Sequence, residues 1–425
     1  MRFTSDNHHL KIPFEWRSNL IIIPVSINQI EMNFLVDTGV GYTLIFDNQK
    51  AKQVGFPTDR PFQLFGLGSQ PALLAYRATI ESMTIDTIEF IDHEVLILPD
   101  DQFYLSRRLG TQIDGIIGYN LFAKYPVLID YQRKFIHINP PRFNKLIKRK
   151  RTLAFPLSIH KRKPHIQIDF PQEKTNQNIQ GTLMLDSGLS DALWLFSSSI
   201  KIKKKEPIFD DFLGTGINGN VYGQRGKLPL LRLLSRDLRD VKVAYPEVES
   251  YHRSQLANER IGSMGAELLS RFRVLFDYPN KKVYLHPTHQ TKKPFYYNLS
   301  GIEFEHDGVQ LVKKKLPLIA RNNTSSYRDG IEFFLQDRYE LVFKPALTIT
   351  YVRPNSPADR AGIEQGDIII EINGKEVYNM PLEKVHAILH KEPGKRIKML
   401  VHRQDARLKF DFILRSIFDT TIPSP

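Results

Sequence analysis

The chain of 425 residues contains no cysteine, which excludes disulfide bonds and thiolate chemistry. It also lacks any apolar run near the ~20 residues that a membrane-spanning helix requires, so we expect no integral membrane segment. The longest early apolar run, Leu20 to Val25, includes a proline and is too short for the core of a signal peptide. This N-terminus fits a cytoplasmic protein, or an exported protein whose signal peptide has been removed.

The zinc-binding motif H-E-x-x-H and the serine-nucleophile motif G-x-S-x-G are both absent, and we expect neither a metal nor a cofactor. The formal net charge is +13, and much of the excess lies in three basic runs, 145–151, 160–163 and 201–205. No aromatic-interleaved basic motif accompanies them, so we interpret them as solvated loop charge and expect no nucleic-acid partner. An acidic partner or an anionic membrane face is the alternative.

Two short motifs carry the most information in the chain. Asp37-Thr38-Gly39 recurs as Asp186-Ser187-Gly188, 149 positions later, and an apolar run precedes each copy. Two carboxylates that face each other cannot both ionise easily, so they share one proton. One member of such a pair can activate a water molecule while the other donates a proton.

The similarity between the two halves extends beyond these triplets. A glycine-rich turn, a second glycine motif and an Asp-Tyr pair follow each aspartate at nearly equal offsets. These landmarks are Gly66-Leu67-Gly68 and Gly214-Thr215-Gly216, then Gly115 to Gly118 and Gly262 to Gly265, then Asp130-Tyr131 and Asp277-Tyr278. A single Asp-Thr-Gly is most often a turn at the end of a strand. Together with the triplets these landmarks make four in register, which instead indicate an internal duplication of roughly 140 residues.

These motifs resemble the retropepsin-like aspartic proteases of the bacterial aspartyl protease family, with both lobes fused in one chain. The resemblance covers about residues 20 to 290. It implies that Asp37 and Asp186 are the catalytic pair and that the hydroxyls of Thr38 and Ser187 interlock across the lobe junction. Gly39 and Gly188 suit the close backbone approach expected there. Ser263 departs from the family pattern, because it stands where an aliphatic residue is expected.

The two glycine-rich turns predict two flaps, one from each lobe. Gly66, Leu67 and Gly68 form the first, and Gly214, Thr215 and Gly216 form the second. We expect each to be a mobile hairpin over the cleft that excludes water when substrate binds.

From about residue 295 the pattern changes and resembles a PDZ domain. The motif runs from Tyr351 through Ser356-Pro357, which predicts a capped short helix, to the hairpin dipeptide Asn373-Gly374. The resemblance implies a peptide groove beside a helix that carries Val385 and Leu389. Ser300, Gly301 and Ile302 are the candidate loop for a terminal carboxylate, with an ordinary first strand as the alternative. The polar stretch 321–329 exceeds what this fold needs and is a candidate for disorder.

Short β-type runs bounded by Asn, Gly and Pro predict a mainly β chain. We expect two duplicated β lobes with the active site between them, followed by an α+β PDZ domain. The predicted boundaries are 1–147 for the first lobe, 148–293 for the second, and 294–417 for a PDZ domain with a long insertion.

The resulting hypothesis is a cofactor-free aspartic endopeptidase, most simply a monomer, whose PDZ domain recruits substrate or partner peptides. Relatives with this architecture are commonly exported in Gram-negative bacteria. The alternative is a catalytically degenerate protease that acts as a PDZ peptide-binding scaffold.

Overall fold

The computed structural model describes residues 1–6, 8–56, 60–99, 105–141, 143–171, 178–196, 204, 206–251, 260–315, 339–390 and 392–418. The predicted polar stretch 321–329 and most of the basic run 201–205 lie outside these ranges. The chain is mainly β, as predicted, and it divides into two compact units. Met1–Asn298 and Ser416–Pro425 form the first unit, and Leu299–Arg415 form the second.

Twelve strands are described in the first half of unit one. They are β1 (Arg2–Phe3), β2 (Leu10–Pro13), β3 (Glu15–Arg17), β4 (Leu20–Ile27), β5 (Ile30–Val36), β6 (Thr43–Asp47), β7 (Pro61–Leu64), β8 (Leu73–Ile85), β9 (Ile88–Pro99), β10 (Gly115–Ile117), β11 (Val127–Asp130) and β12 (Phe135–Ile138).

Eleven strands are described in the second half of that unit. They are β13 (Leu153–Pro156), β14 (Ser158–His160), β15 (Lys163–Pro171), β16 (Asn178–Asp186), β17 (Leu193–Leu195), β18 (Phe209–Gly216), β19 (Gly219–Leu233), β20 (Arg236–Pro246), β21 (Arg260–Gly265), β22 (Phe272–Asp277) and β23 (Lys282–Pro287).

The two halves share one topology, which accounts for the repeated sequence landmarks. The large sheet of the first lobe runs β3-β4-β5-β10-β6-β9-β8-β7, with β1 added to β9. The large sheet of the second lobe runs β14-β15-β16-β21-β17-β20-β19-β18, which is the same order element by element. In each lobe a further pairing, β4 with β8 or β15 with β19, folds the sheet back on itself.

A third sheet joins the lobes. Its order is β13-β23-β22-β11-β12-β2, and the central pair, β22 and β11, brings one strand from each lobe together. Asp130 lies opposite Arg273 in this pair, and the two side chains form an ion pair with 2.9 Å between Oδ2 and Nε. One continuous apolar core runs from Leu10 to Leu285, so the lobes fold as a single body.

Helices are few and short. They are α1 (Gln49–Val54), α2 (Leu105–Leu109), α3 (Tyr119–Phe122), α4 (Phe143–Ile147), α5 (Ala266–Leu269), α6 (Pro357–Arg360) and α7 (Leu382–His390), with 3₁₀ turns at Val248–Ser250 and His289–Lys292. Helices α3 and α5 follow the matched glycines Gly118 and Gly265. Within the described ranges, no helix has the length and apolar character needed to cross a membrane.

The second unit contains a twisted sheet with helices α6 and α7. Its strands are β24 (Ile302–Lys315), β25 (Tyr339–Val352), β26 (Ile368–Ile372), β27 (Lys375–Glu376), β28 (Arg396–Arg403) and β29 (Ala406–Ile413), ordered β24-β25-β26-β28-β29 with β27 beside β26. Ser356 caps α6 by accepting a hydrogen bond from the Asp359 N–H, which confirms the predicted cap. Asn373 and Gly374 both have positive φ, as a tight hairpin turn requires.

The chain returns to the first unit after residue 415. The ring of Phe418 lies 4.6 Å from that of Tyr297 and 5.8 Å from that of Phe209. The Tyr297 hydroxyl in turn donates to the Gly226 carbonyl oxygen, 2.9 Å away. Tyr297 and Phe418, which flank the second unit in sequence, therefore lie together within the first unit.

Candidate active site

Asp37 and Asp186 occupy the same place in their lobes. Asp37 follows β5, which pairs in parallel with β10, and Asp186 ends β16, which pairs in parallel with β21. The next turn is also the same, because Val40 N–H donates to Asp37 O and Leu189 N–H donates to Asp186 O. The duplication therefore presents the two carboxylates in equivalent loops.

The hydroxyl residues that follow each aspartate cross between the lobes. Thr38 N–H donates to Ser187 Oγ and Ser187 N–H donates to Thr38 Oγ1, both at 3.0 Å. Each hydroxyl also donates, Thr38 Oγ1 to Leu185 O at 2.7 Å and Ser187 Oγ to Val36 O at 2.8 Å. Both side chains are completely buried. Four hydrogen bonds thus hold the two loops in one fixed relation.

The glycines of the two triplets bring the carboxylates close together. Gly39 N–H donates to Asp37 Oδ1 at 2.6 Å, and Gly188 N–H donates to Asp186 Oδ1 at 3.2 Å. A Cβ atom on Gly39 would lie 2.7 Å from Asp186 Oδ1, and one on Gly188 would lie 2.2 Å from Asp37 Cγ. Each carboxylate therefore sits over the glycine of the opposite triplet, where no side chain fits.

This proximity has an electrostatic consequence. Burial, and after it the charge of Asp186, raises the pKa of Asp37 well above its ordinary value, and a hydrogen bond between the two side chains acts in the same direction. The Gly39 N–H and Lys163 oppose the shift but do not cancel it. The pair therefore retains one proton at a pH at which an isolated aspartate has lost its own.

The crossed hydroxyls lead to a first prediction. Thr38→Val removes one acceptor and one donor from a fully buried network, so we expect a loss of about 1–3 kcal/mol in the free energy of unfolding. Urea unfolding measures the effect. Thr79→Val, at an exposed threonine in β8, is the control and should not lower the free energy of unfolding; equal stability of Thr38→Val and wild type would contradict the bracing role.

The glycine-rich turns predicted as flaps come together in the structure. Gly66, Leu67 and Gly68 lie in the loop between β7 and β8, whereas Gly214, Thr215 and Gly216 end β18 just before the turn into β19. The link between them is Asn218 in that turn. Its N–H donates to Leu67 O at 2.7 Å, its side-chain amide donates to Pro71 O, and its Oδ1 accepts from the Gly66 N–H. Two hairpins, one from each lobe, thus touch at their tips.

The residues predicted for the PDZ groove fall into two sets. Ser300 and Gly301 form a buried bend before β24, in which Ser300 Oγ accepts from the Ile302 N–H at 3.1 Å. Val385 and Leu389 are completely buried in the core of the unit, as is Ile302. The α7 residue that faces β24 is His386, whose ring stacks 4.3 Å from that of Phe304. The Phe304 ring is buried in the core of the unit, whereas the His386 ring is half-buried, so His386 is the predicted-groove neighbour that retains exposure.

Two cations near the aspartates were not predicted. Burial, and then the charge of Arg260, lowers the pKa of Lys163, while Asp186 and Asp37 act in the opposite direction. Burial lowers the pKa of Arg260 to about 10 against the opposing effect of Asp186. Arg260 Nη2 also donates to Ser263 Oγ, so the one departure from the expected pattern has a polar partner. A lysine in a basic run and an isolated arginine carry no sequence signal for such a position.

No group of three or more His, Asp or Glu side chains suited to a metal ion occurs in the described part of the chain. What the structure brings together is a pair of facing carboxylates (Asp186 buried, Asp37 half-buried), two loops held by crossed hydroxyl hydrogen bonds, and two touching hairpins. This arrangement can hold a water molecule between two carboxyl groups and exchange protons with it.

Comparison with known families agrees with this geometry. Residues 23–121 match the family model described as aspartyl protease, and residues 348–403 match the model described as PDZ domain. The search of the curated proteins found no match. The first match contains Asp37 and Gly118, and the second lobe lies outside it, so the likeness of that lobe rests on its topology. The chain therefore carries a retropepsin-like aspartyl protease domain and, C-terminal to it, a PDZ domain.

Proposed function

We propose that the protein is an aspartic endopeptidase whose catalytic pair is Asp37 and Asp186. The observation that carries this proposal is the crossed bonding of Thr38 and Ser187, which fixes two equivalent aspartate loops face to face. A structural turn at a strand end needs no such partner from another lobe. The raised pKa of Asp37 adds support, because the mechanism requires one protonated and one ionised carboxyl group.

In the proposed reaction, the ionised member of the pair takes a proton from a water molecule, whose oxygen attacks the peptide carbonyl carbon. The protonated member donates its proton to the carbonyl oxygen, which gives a tetrahedral diol. When the C–N bond breaks, the nitrogen receives a proton from the pair, and one hydroxyl of the diol returns a proton to the pair as the carboxyl product forms. The two aspartates thus end the cycle with the one shared proton they began with.

The two touching hairpins fit the role of flaps in this scheme. Because Asn218 holds both tips through hydrogen bonds to Leu67 and Pro71, a substrate that enters between them must break these bonds and can replace them with its own main chain. Closure over the substrate would then exclude bulk water from the carboxyl pair.

The test of the proposal is hydrolysis of a peptide library by the full chain between pH 3 and pH 8, with products identified by mass spectrometry. Cleavage that depends on both aspartates supports an endopeptidase. If no peptide is cleaved at any pH, the alternative gains support, in which degenerate lobes serve as a scaffold and peptide binding by the PDZ domain is the function.

The second unit supports a recruiting role. Among the described strands, β24 is the last in the sheet order, and its Phe304 stacks on His386 of α7. PDZ domains bind a peptide as a further strand between this strand and this helix. Main-chain hydrogen bonds dominate such binding, so its affinity is modest and its sequence demands are loose. Attachment to the protease lobes raises the local concentration of substrate and leaves the chemistry unchanged.

This role can be tested by removing residues 299–415 and joining Asn298 to Ser416 with a short linker. The join is feasible because the Tyr297 and Phe418 rings are 4.6 Å apart. We expect kcat on short peptides to stay the same, while KM for a protein that carries a PDZ-binding segment rises by about tenfold or more.

The matched control ends the chain at Asn298 and so also removes Phe418. Because Phe418 packs on Tyr297 and Phe209, this shorter chain should unfold at lower urea concentration than the joined variant. Unchanged kinetics on the protein substrate in the joined variant would contradict recruitment. Altered kcat on short peptides would instead show that the PDZ domain completes the active site.

A further inference from the structure

Equivalent positions in the two lobes carry different chemistry beside the aspartates. The hairpins β3–β4 and β14–β15 both turn through two residues with positive φ, Ser18-Asn19 and Lys161-Arg162. The first strand residue after the turn is Leu20 in one lobe and Lys163 in the other, opposite Arg17 and His160 respectively. Lys163 therefore stands where the first lobe has a leucine that is 7% exposed.

The same contrast holds at three more positions. Two residues further along the strand, Ile22 corresponds to His165. In the strand that pairs in parallel with the strand before each aspartate, Ile116 lies opposite Leu35 in the first lobe and Ser263 lies opposite Met184 in the second. Leu35 and Met184 each stand two residues before the aspartate of their triplet. The residue two positions before the first glycine of that strand is Ile113 in the first lobe and Arg260 in the second. Four aliphatic side chains thus correspond to four polar ones.

The aliphatic set, Leu20, Ile22, Ile113 and Ile116, is buried, and in the proposed protease it forms one wall of the substrate cleft. It belongs to an apolar cluster that extends from Val40 in the Asp37 loop to Leu64 and Leu73 in the first hairpin. Ile217, at the tip of the opposite hairpin, packs against the same cluster. This cluster reaches from the aspartate loop to the hairpin tips, so in the proposed protease it borders the path of the substrate.

The polar set, Lys163, His165, Arg260 and Ser263, is connected internally. Arg260 Nε donates to Gly262 O at 3.0 Å, and its Nη2 donates to Ser263 Oγ. His165 Nδ1 lies 3.0 Å from Lys163 O, and burial together with Arg260 lowers the pKa of His165 to about 4, so its ring is neutral near pH 7. The guanidinium of Arg260 also lies 5.1 Å from the centre of the Phe196 ring.

The charges in this set exceed what the aspartates can balance. Lys163 and Arg260 both interact electrostatically with Asp186. Among the residues that the structure describes, no carboxylate lies within ion-pair distance, 4.0 Å, of either cation. An aspartate pair that shares one proton carries a single negative charge, against two desolvated positive ones. Burying a cation without a partner is costly, so this wall favours one further carboxylate.

We propose that the Asp186 side of the cleft accepts an acidic side chain of the substrate, Asp or Glu, next to the scissile bond, and that the Asp37 side accepts an apolar one. This inference rests on the proposed proteolytic function and adds a substrate class to it. The substrate carboxylate accepts a charge-assisted hydrogen bond from the Lys163 ammonium, and Arg260 lies behind it as a second positive charge.

The test uses matched peptides that differ only in Glu or Gln at one of the two positions flanking the cleaved bond, with leucine at the other. Because Glu and Gln have nearly the same shape, the ratio of their kcat/KM values isolates the charge. We expect the full chain to favour Glu at one position by about tenfold or more, since hydrogen bonds between charged groups are the strong ones. The preference should shrink at high salt.

Substitutions of Lys163 test whether its side chain causes the preference for Glu over Gln. Lys163→Leu copies the first lobe and should bring the Glu/Gln ratio to about 1. Lys163→Arg should keep it, and Lys163→Gln gives a second neutral variant if the leucine variant does not fold. Lys161→Asn is the matched control, because it removes an exposed lysine two residues away and asparagine tolerates the positive φ there. This control should keep the wild-type ratio.

The outcomes separate this inference from the proposed function. Equal cleavage of Glu and Gln peptides, or a preference that survives in both neutral Lys163 variants, overturns the acidic subsite and leaves the protease intact. If no peptide is cleaved, the proposed function fails, and binding of reduced-amide peptides decides the subsite. Tighter binding of the Glu peptide that is lost in Lys163→Leu supports it, and equal binding overturns it.

Discussion

Replacing either Asp37 or Asp186 with Asn is expected to abolish peptide hydrolysis, with kcat lower by at least about 10³-fold. Asparagine has the same shape as aspartic acid, so the crossed bonds of Thr38 and Ser187 stay in place. It cannot accept a proton from water, and the pair loses its ionised member or its proton donor. The double variant should be no less active than the singles, because the two carboxyl groups act as a unit.

Asp37→Asn should also change how the free energy of unfolding depends on pH. Since burial and Asp186 raise the pKa of folded Asp37 above its ordinary value of 3.8, the folded protein keeps a proton that the unfolded chain releases. The stabilisation that this group provides is complete below pH 3.8 and is lost as pH rises through the raised pKa. An asparagine side chain carries no charge to bury, so Asp37→Asn should be more stable than wild type at pH 7 and equally stable at low pH.

Asp86→Asn is the matched control for both measurements. Asp86 is an exposed aspartate at the tip of the β8–β9 hairpin, where its φ of 50° suits asparagine equally well. It should alter neither kcat nor the pH dependence of unfolding. Retained hydrolysis in Asp186→Asn would show that the second lobe is not catalytic and would refute the pair.

The features that could be predicted from sequence were those written in local patterns. Asp37-Thr38-Gly39 and Asp186-Ser187-Gly188 each follow an apolar strand. The landmarks after them lie at nearly equal sequence offsets because both lobes have the same strand order. Duplication makes such a fold easier to predict, since each half repeats the pattern of the other. Ser356-Pro357 was predictable for another reason, because a capping hydroxyl before a proline marks where a helix begins.

The remaining features depend on which distant segments meet. The two glycine-rich turns sit at nearly equal offsets, yet Gly66 lies in a loop and Gly214 inside a strand, so equal spacing did not give equal structure. The link between the hairpins is Asn218, and nothing near it in sequence points to Leu67. Likewise, the sequence alone suggests that Ser263 fits poorly where an aliphatic residue is expected. The structure gives its hydroxyl a partner, because Arg260 donates a hydrogen bond to it.

A network of buried charges supports the loop that follows Asp186. Arg225 donates to both oxygens of Asp191 at 2.9 and 2.8 Å and to Asp211 Oδ2 at 2.8 Å. Lys242 pairs with Asp191 Oδ1 at 3.2 Å and with Glu267. Asp191 lies five residues beyond Asp186, and its carbonyl oxygen accepts from the Glu267 N–H. Sequence patterns gave no sign of this network, because its members come from five separate segments.

Arg225→Met is therefore expected to lower the free energy of unfolding by about 3–5 kcal/mol, because it leaves two buried carboxylates without their shared cation. Burial acts to raise the pKa of Asp191, but Arg225, Lys242 and the Trp194 N–H outweigh it and hold that pKa well below its usual range. A carboxyl group with a depressed pKa adds stability above its ordinary value of 3.8 and loses it as pH falls further. The deficit of the variant should therefore shrink in acid.

Urea unfolding at pH 7 and at pH 3 measures both the deficit and its pH dependence. Arg232→Met is the matched control, since Arg232 makes a similar two-bond contact with Asp237 from the same strand but at the surface. With side chains 41% and 38% exposed, that pair is screened by solvent and should contribute little to the free energy of unfolding. Hydrolysis should fall in the Arg225 variant alone, because only that network holds the Asp186 loop. Equal destabilisation by both substitutions would show that burial of the Arg225 network adds nothing.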